Sequence, residues 1–354
     1  MTSNDQLPRN RVTGAFERRV AKALEGAGIA SGVQVEGVGD DRTSVLVATS
    51  GGPDSTAALV AVARALGAER VTAAHFDHRL RPTAEVARER AVVDTVAGVL
   101  GVPLLAGRAP RRPTDTSEDA AREARYRWLA TAARRAGATA CITGHTQGDQ
   151  AETVLLRLAR GTAAGGAAGM FAVSRWPVVA SGSRSLRLIR PLLGLSRAEV
   201  EAYLRALGVI AAQDPSNESL DYARNRVRLQ AMPALREVNA RAVEHLARFA
   251  AHQGEDDEEL TRQAREWIAV HARITSAGAE LDRTALRAAP PAIARRAVRL
   301  AANGIGVTLE TAHVEAILHS ARRNAAQVAL PLARSETDGM ILRLRLRPQR
   351  SAVD

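Results

Sequence analysis

The sequence has one cysteine, Cys141, and one lysine, Lys22. A single cysteine excludes an internal disulfide, a CxxC zinc site and a dithiol redox pair. Lys22 lies far upstream of the Gly51-Gly52 turn. That excludes a Walker A loop, whose lysine must reach the β and γ phosphates. Aromatic residues make up 3% of the chain, too few for a multi-base stacking platform of the single-strand-binding type. Arg, Asp or Glu breaks every apolar run well before 18 residues, so no membrane span is expected. The first ten residues, MTSNDQLPRN, hold no apolar segment. No secretory signal is therefore expected, and the expected location is the cytoplasm. No internal repeat is found.

What is present is a globular balance of 46% hydrophobic and 25% charged residues over 354 residues, enough for two domains. The formal net charge is +11, from 49 basic and 38 acidic residues. All the basic residues but one are arginine, and both halves of the chain share the excess. Guanidinium groups pair with phosphate in a forked geometry, so the charge favours a polyanionic partner such as nucleic acid. An Ala/Arg-heavy composition would produce part of the same excess.

Hydrophobic periodicity divides the chain. Residues 1–40 read as a tail, a helix over 14–27 and a Gly-rich loop. Residues 41–215 alternate short apolar strands (44–49, 71–76, 102–106, 139–143, 186–189) with amphipathic helices (54–66, 84–100, 117–135, 147–160, 196–207). Ser117 is a plausible N-cap. Strands alternating with helices predict an α/β domain whose parallel five-stranded sheet has helices on both faces. Ligands of such sheets sit beyond the carboxyl ends of the strands. Residues 216–240 read as a helical linker. Residues 241–354 read as a mostly helical domain ending in a β-hairpin, because 326–332 and 339–346 alternate apolar and polar positions. The acidic run at 255–259 reads as a solvated helix face.

The strongest local signal is Ser50-Gly51-Gly52-Pro53-Asp54-Ser55, between the first strand and the first helix. Adjacent glycines let the backbone come close to a ligand. Freed N–H groups, the Ser50 and Ser55 hydroxyls and the helix N-terminus then converge into an anion cradle. The same residues also make a good capped helix start. Strand, SGGxDS and helix together resemble the PP-loop ATP pyrophosphatases, a Rossmann-like group that cleaves ATP between the α and β phosphates. That resemblance implies ATP in the loop and Mg²⁺ held by Asp54.

Other strand ends are polar too. The second ends in His75, Asp77, His78, Arg79 and Arg81. The fourth ends in Gly144, His145, Gly148, Asp149, Gln150 and Glu152. Arg122 and Arg125 share a helix face between them. Each cluster alone has an ordinary reading as a cap, a solvated arginine or a strand-end histidine. Their convergence on one sheet edge is what argues for a site.

HxDHxLRP, ARxxRY, GHxxxDQxETxLLRLxRG, RPLL (190–193), DPSN (214–217) and RNRVR (224–228) occur in this order. Over residues 44–235 they resemble the tRNA(Ile)-lysidine synthases. Beyond 240 the resemblance is one of organisation only, and the chain is shorter than the longer members, which carry a further C-terminal domain. The resemblance implies ligation of free L-lysine to C2 of cytidine 34 in the CAU anticodon of tRNA(Ile), through an adenylated base, with release of diphosphate and AMP. It implies ATP and Mg²⁺ as cofactors. The implied catalytic residues are Asp54, Arg122, Arg125 and Asp149, with Asp54 and Asp149 on the metal. ATP would be bound by Ser50, Gly51, Gly52, Pro53, Asp54, Ser55, His75, Gly144 and His145. Asp149 and Glu152 would take the lysine. His78, Arg81, Arg224, Asn225, Arg226 and Arg228 would contact tRNA, although Arg224, Arg226 and Arg228 also read as a solvated helix face. Members are dimers or monomers, so a homodimer is one expected state. Many members have two aspartates where this chain has Gly148-Asp149.

Three rival readings are a sulfur-transferring PP-loop enzyme, an amidotransferase-type ligase and a non-enzymatic RNA-binding protein. The first wants paired cysteines or a cluster and the second a glutaminase cysteine, whereas Cys141 sits alone in an apolar strand. The third expects no ATP turnover.

Overall fold

The computed structural model describes residues 7–29, 43–79, 83–110, 118–162, 164–180, 185–212, 219–276, 278–323, 328–330, 333–338 and 340–346. The chain forms two compact units. The first runs to Ala251 without residues 163–165; the second holds those three residues and residues 252–354.

In the first unit, helix α1 (Arg11–Gly26) starts at a capping box. Asn10 Oδ1 accepts from the Val12 and Thr13 amides at 2.9 and 3.0 Å, which satisfies two of the helix's orphan donors. Strand β1 (Val45–Ala48), helix α2 (Pro53–Leu66), β2 (Val71–Asp77), α3 (Thr83–Leu100), β3 (Leu104–Arg108), α4 (Glu118–Arg135), β4 (Ala140–Ile142) and α5 (Gln147–Ala159) alternate as the periodicity predicts. The helical turn α6 (Ala164–Ala167), strands β5 (Val173–Arg175) and β6 (Arg187–Ile189), and helix α7 (Arg197–Leu207) follow. Next come α8 (Ala223–Arg226), a π-helical turn over Val227–Ala231, α9 (Met232–Val238) and the long α10 (Ala242–His271). The division between units falls inside α10.

The sheet has the order β3-β2-β1-β4-β6-β5, so it has six strands and not five. All pairings are parallel except that of β5 with β6. The extra strand is three residues long, two of them exposed, and too short to show a period of two. Side chains of β1 alternate between two buried faces. Val45 and Val47 face a core built from α1, α2 and α7. Leu46 faces one that holds Tyr126 and Leu129 of α4, Cys141 and Leu188. Burial on both faces is why the strands read as continuous apolar runs. Each fully buried Leu or Val stabilises the sheet by about 1.5–3 kcal/mol.

Chain order moves outward from β1 to β3, then returns to β4 on the other side of β1. The switch point therefore lies beyond the carboxyl ends of β1 and β4, where open α/β sheets bind ligands.

In the second unit, β7 (Ala272–Thr275), β8 (Gly278–Asp282), α11 (Arg283–Ala288), α12 (Pro291–Gly304), α13 (Thr311–Arg323), β9 (Val328–Leu330), β10 (Ala333–Asp338) and β11 (Ile341–Leu346) form an antiparallel sheet with three helices. The sheet order is β7-β8-β11-β10-β9. The expected pairing of 326–332 with 339–346 is corrected: β9 and β11, the strands within those ranges, both pair with β10 between them, so the hairpin is β10–β11, and β8 and β7 extend the sheet beyond β11. Leu342 and Leu344 of β11, Leu281 of β8 and Val298 of α12 meet in the core.

Candidate functional site

The β1–α2 turn is built so that its backbone comes close to its neighbours. Gly51 has φ +87°, and a Cβ there would sit 2.6 Å from the Glu89 carbonyl oxygen. Only glycine fits both conditions. The Ser55 hydroxyl accepts from the Ser50 amide and donates to the Gly52 carbonyl, each at 3.1 Å. The Ser50 and Ser55 hydroxyls lie 3.1 Å apart. Pro53 occupies the first turn of α2, with its locked φ and no N–H to satisfy.

Asp54 is the first-turn acid of α2. Its Oδ1 is buried and has no hydrogen-bond partner among the described residues. Burial, then the negative charge of Asp149, push its carboxyl up from 3.8 to about 6, against the pull of Arg197 and Arg228. A buried carboxylate oxygen without a donor, near a second carboxylate, is a place where a hard cation would lower the energy. Asp54 therefore fits the part of a Mg²⁺ ligand. Among the described residues no group of three or more His, Cys, Asp or Glu side chains could hold a metal ion.

The β4–α5 turn meets this one directly. A Cβ on Gly144 would sit 2.6 Å from the Asp54 carbonyl oxygen. The His145 ring Nδ1 lies 2.8 Å from the Thr143 hydroxyl. Burial pushes the imidazole down to about 3, with Asp149 opposing and Arg190, Arg224 and Arg125 adding to the effect. His145 is thus neutral at pH 7. His75, buried on β2, places Nδ1 3.1 Å from the Thr49 carbonyl. His78 packs edge-on to Phe76, which stacks on Trp128 at 5.2 Å. Arg81 lies outside the described residues.

Asp149 and Glu152 share one face of α5, three residues apart. Asp149 Oδ2 accepts from the Thr146 amide at 2.8 Å and from its hydroxyl at 2.9 Å. Two arginines engage the carboxylates. Arg224 donates from Nη2 to Asp149 Oδ1 and from Nε to Glu152 Oε2, both at 2.8 Å. Arg228, one turn on, donates from Nε to Glu152 Oε1 at 2.6 Å and from Nη2 to Oε2 at 3.0 Å. Burial alone would raise the Asp149 carboxyl, but Arg224 and the Thr146 bonds hold it below its usual range. Asn225 and Arg226 instead tie down the turn before them, through the carbonyls of Ser219, and of Leu220 and Asp221.

Arg122 and Arg125 both lie over the Tyr126 ring, 5.3 and 5.5 Å from its centroid. A cavity of about 1090 Å³ gathers the elements. It is lined by the 50–55 turn, His75, His78, Arg125, Gly144, His145, Asp149 and Arg228, and it is of ligand-binding size. Sequence reasoning missed Arg197 and Glu201 of α7, which line the same cavity and act electrically on Asp54. Their only sequence signal is the Ser196–Glu199 capping box, which marks a helix start and no site.

Comparison with known proteins follows these lines. The PP-loop domain family matches residues 15–235, and the TilS substrate binding domain matches residues 281–346. The chain is 40% identical to the tRNA(Ile)-lysidine synthase of Symbiobacterium thermophilum over 73% of its own length and 54% of that protein's. It is 36% identical to the Bradyrhizobium enzyme of that name (81% of this chain, 82% of that one). It is 38% identical to the Gloeobacter violaceus enzyme (78% and 82%). It thus spans about half the length of some of these relatives and four fifths of others. Among solved structures, the U34-tRNA thiolase NcsA from Methanococcus maripaludis, with its [4Fe-4S] cluster, superposes with TM-score 0.53 at 14% identity, over 69% of this chain and 79% of that one. At that identity the likeness is one of fold alone.

Proposed function

The chain belongs to the tRNA(Ile)-lysidine synthase family, and on that footing we propose that it joins free lysine to C2 of cytidine 34 in the CAU anticodon of tRNA(Ile) at the cost of one ATP. The observation that carries the reading is the junction of two turns. One is an anion cradle with Asp54 beside it, whose buried Oδ1 has no partner among the described residues. The other brings Asp149 to the same cavity, with Glu152 three residues on along α5 and tied through Arg228, which also lines it. Diphosphate rests on the backbone and hydroxyls of residues 50–55. Mg²⁺ on Asp54, joined by Asp149 if Arg224 yields it, would neutralise charge on the phosphates.

In the first step O2 of the cytosine attacks the α-phosphorus and diphosphate leaves. Arg125, which lines the cavity, and Arg122, on the same Tyr126 ring, would stabilise the charge that develops. His145, neutral at pH 7, and His75 border the nucleotide. In the second step the ε-amine of lysine attacks C2, and AMP leaves with the electron pair of the C2–O2 bond. The ammonium of lysine, with a reference pKa of about 10.4, must first lose a proton. Lysine carries both signs of charge. The Asp149–Glu152–Arg224–Arg228 cluster offers both, so the amino acid enters by exchanging ion pairs rather than by burying a lone charge.

The target base must leave its stack to reach a cavity beyond the strand ends. The second unit, with the substrate-binding domain match, would grip the tRNA backbone. ATP and tRNA as substrates place the work in the cytoplasm. No helix among the described residues is long and apolar enough to cross a membrane. Diphosphate release that requires tRNA, and AMP release that requires lysine as well, test the reading. ATP-independent RNA binding would favour the non-enzymatic alternative.

A further inference from the structure

Residues 166–174 pass over the first unit as a strap whose backbone is held by three side chains. The amide of Gln150 accepts from the Met170 amide at 2.7 Å and donates to the Met170 and Ala168 carbonyls at 2.9 and 3.3 Å. Arg157 Nη1 donates to the carbonyls of Gly166 and Gly169. Arg190 Nη1 donates to the Phe171 carbonyl at 2.7 Å and the Ser174 hydroxyl at 3.2 Å. Gly169, at φ +62°, has no room for a Cβ against Gln150. Nothing in ATP chemistry asks for a strap this well held.

The strap's outer side presents Phe171, Ala172 and Val173, with Phe171 43% exposed. The ground around it is basic. The charges of Arg122 and Arg157 both bear on Arg190, and that of Arg122 bears on Arg157. Among the described residues no carboxylate pairs with Arg122, Arg157 or Arg190. Like charges gathered without a counterion cost free energy, and an anion repays it. Arg160 and Arg175 are exposed on either flank. An aromatic face within a field of guanidinium groups suits a polynucleotide with an unpaired base.

We propose that the strap is a seat for the single-stranded RNA next to the modified cytidine, with Phe171 stacking on a flanking base of the anticodon loop and Arg157 taking its phosphodiester. Arg190, buried, braces the strap and adds its charge from behind. The seat rests on the function proposed above and names the part of the substrate that function leaves open. It holds the loop once its target base is out of the stack, and it reads no base edge.

Titration of the full chain with a labelled tRNA(Ile) anticodon stem–loop tests this, with ATP affinity measured alongside. Stacking on one base is worth about 1–3 kcal/mol, so Phe171→Ala should weaken RNA binding about 5- to 150-fold. Phe171→Leu should lose nearly as much, Phe171→Tyr should restore it, and ATP affinity should hold in all three. A blunt duplex of the same stem should bind parent and variants alike. Parent-like binding of the stem–loop by both Phe171→Ala and Phe171→Leu would overturn the seat and leave the enzyme's function standing. Failure of the unaltered chain to bind the stem–loop, with ATP still bound, would overturn both.

Discussion

Arg228 closes on Glu152 with two hydrogen bonds, at 2.6 and 3.0 Å, across 76 residues of sequence. Glu152 is nearly buried and also receives Arg224. A carboxylate in this position is either paired with an arginine or available to an incoming ammonium. Glu152→Gln removes that charge. The KM for lysine should rise roughly 10- to 100-fold, the loss expected for a charge-assisted hydrogen bond. Diphosphate release in the first turnover should stay intact. Parent-like lysine kinetics would remove Glu152 from the lysine site.

Gly144 makes a second prediction, because it is where the two turns touch. Its added Cβ would press on the Asp54 carbonyl oxygen at 2.6 Å and the Ser55 nitrogen at 2.8 Å, both backbone atoms that cannot swing aside. Gly144→Ala should push the α2 turn out of place and weaken ATP binding by about tenfold or more by calorimetry, since misplacement of a site by an ångström is costly. The α/β domain should remain folded by circular dichroism.

Asp54 gives a prediction in which stability and activity move in opposite directions. Its carboxyl, at about 6 against 3.8 unperturbed, favours the neutral form in the folded chain. Stability from this group is fully present below about pH 4 and is lost as pH rises through 6. Above that, the ionised side chain destabilises the fold by at most about 3 kcal/mol. Asp54→Asn should therefore raise the melting temperature at pH 8 and leave it little changed, or lower, at pH 4, while ATP turnover is lost. In the parent, Mg²⁺-dependent ATP binding should weaken as pH falls below about 6. A parent-like melting temperature at pH 8 would count against a buried, strained carboxylate.

Cys141 sits on β4 with its thiol fully buried and pushed up to about 12, chiefly by burial. It should not react with a thiol reagent in the native chain at pH 8, and should react at the rate of global unfolding. Fast labelling of native protein would show that the β4 region opens locally.

Much of the first unit was legible because each of its signals is local. The apolar run Val45–Ala48 announced a strand buried on both faces, and the glycines and Pro53 of the following turn announced a helix start with an open backbone. The sheet's sixth strand, Val173–Arg175, gave no period in three residues. Strands Ala272–Thr275 and Gly278–Asp282 were hidden for the same reason inside a stretch that read as helical. In the site, residue types at strand ends were readable, but pairings were not. Arg224 and Arg228 read as tRNA contacts or a solvated face, yet they lie on Asp149 and Glu152. Arg197 and Glu201 reach the cavity from α7 and carry no motif of their own. Such relationships are set by tertiary placement across about 50 to 150 residues, which no local pattern encodes.

One rapid-quench experiment bears most directly on the seat for diphosphate beside Asp54. ATP labelled in the α and γ phosphates is mixed with the full chain, Mg²⁺ and tRNA(Ile), first without lysine and then with it. The expected result is one equivalent of diphosphate without lysine, AMP only after lysine is added, and neither product from Asp54→Asn. Diphosphate formed without tRNA, cleavage between the β and γ phosphates, or full product formation by Asp54→Asn would contradict it.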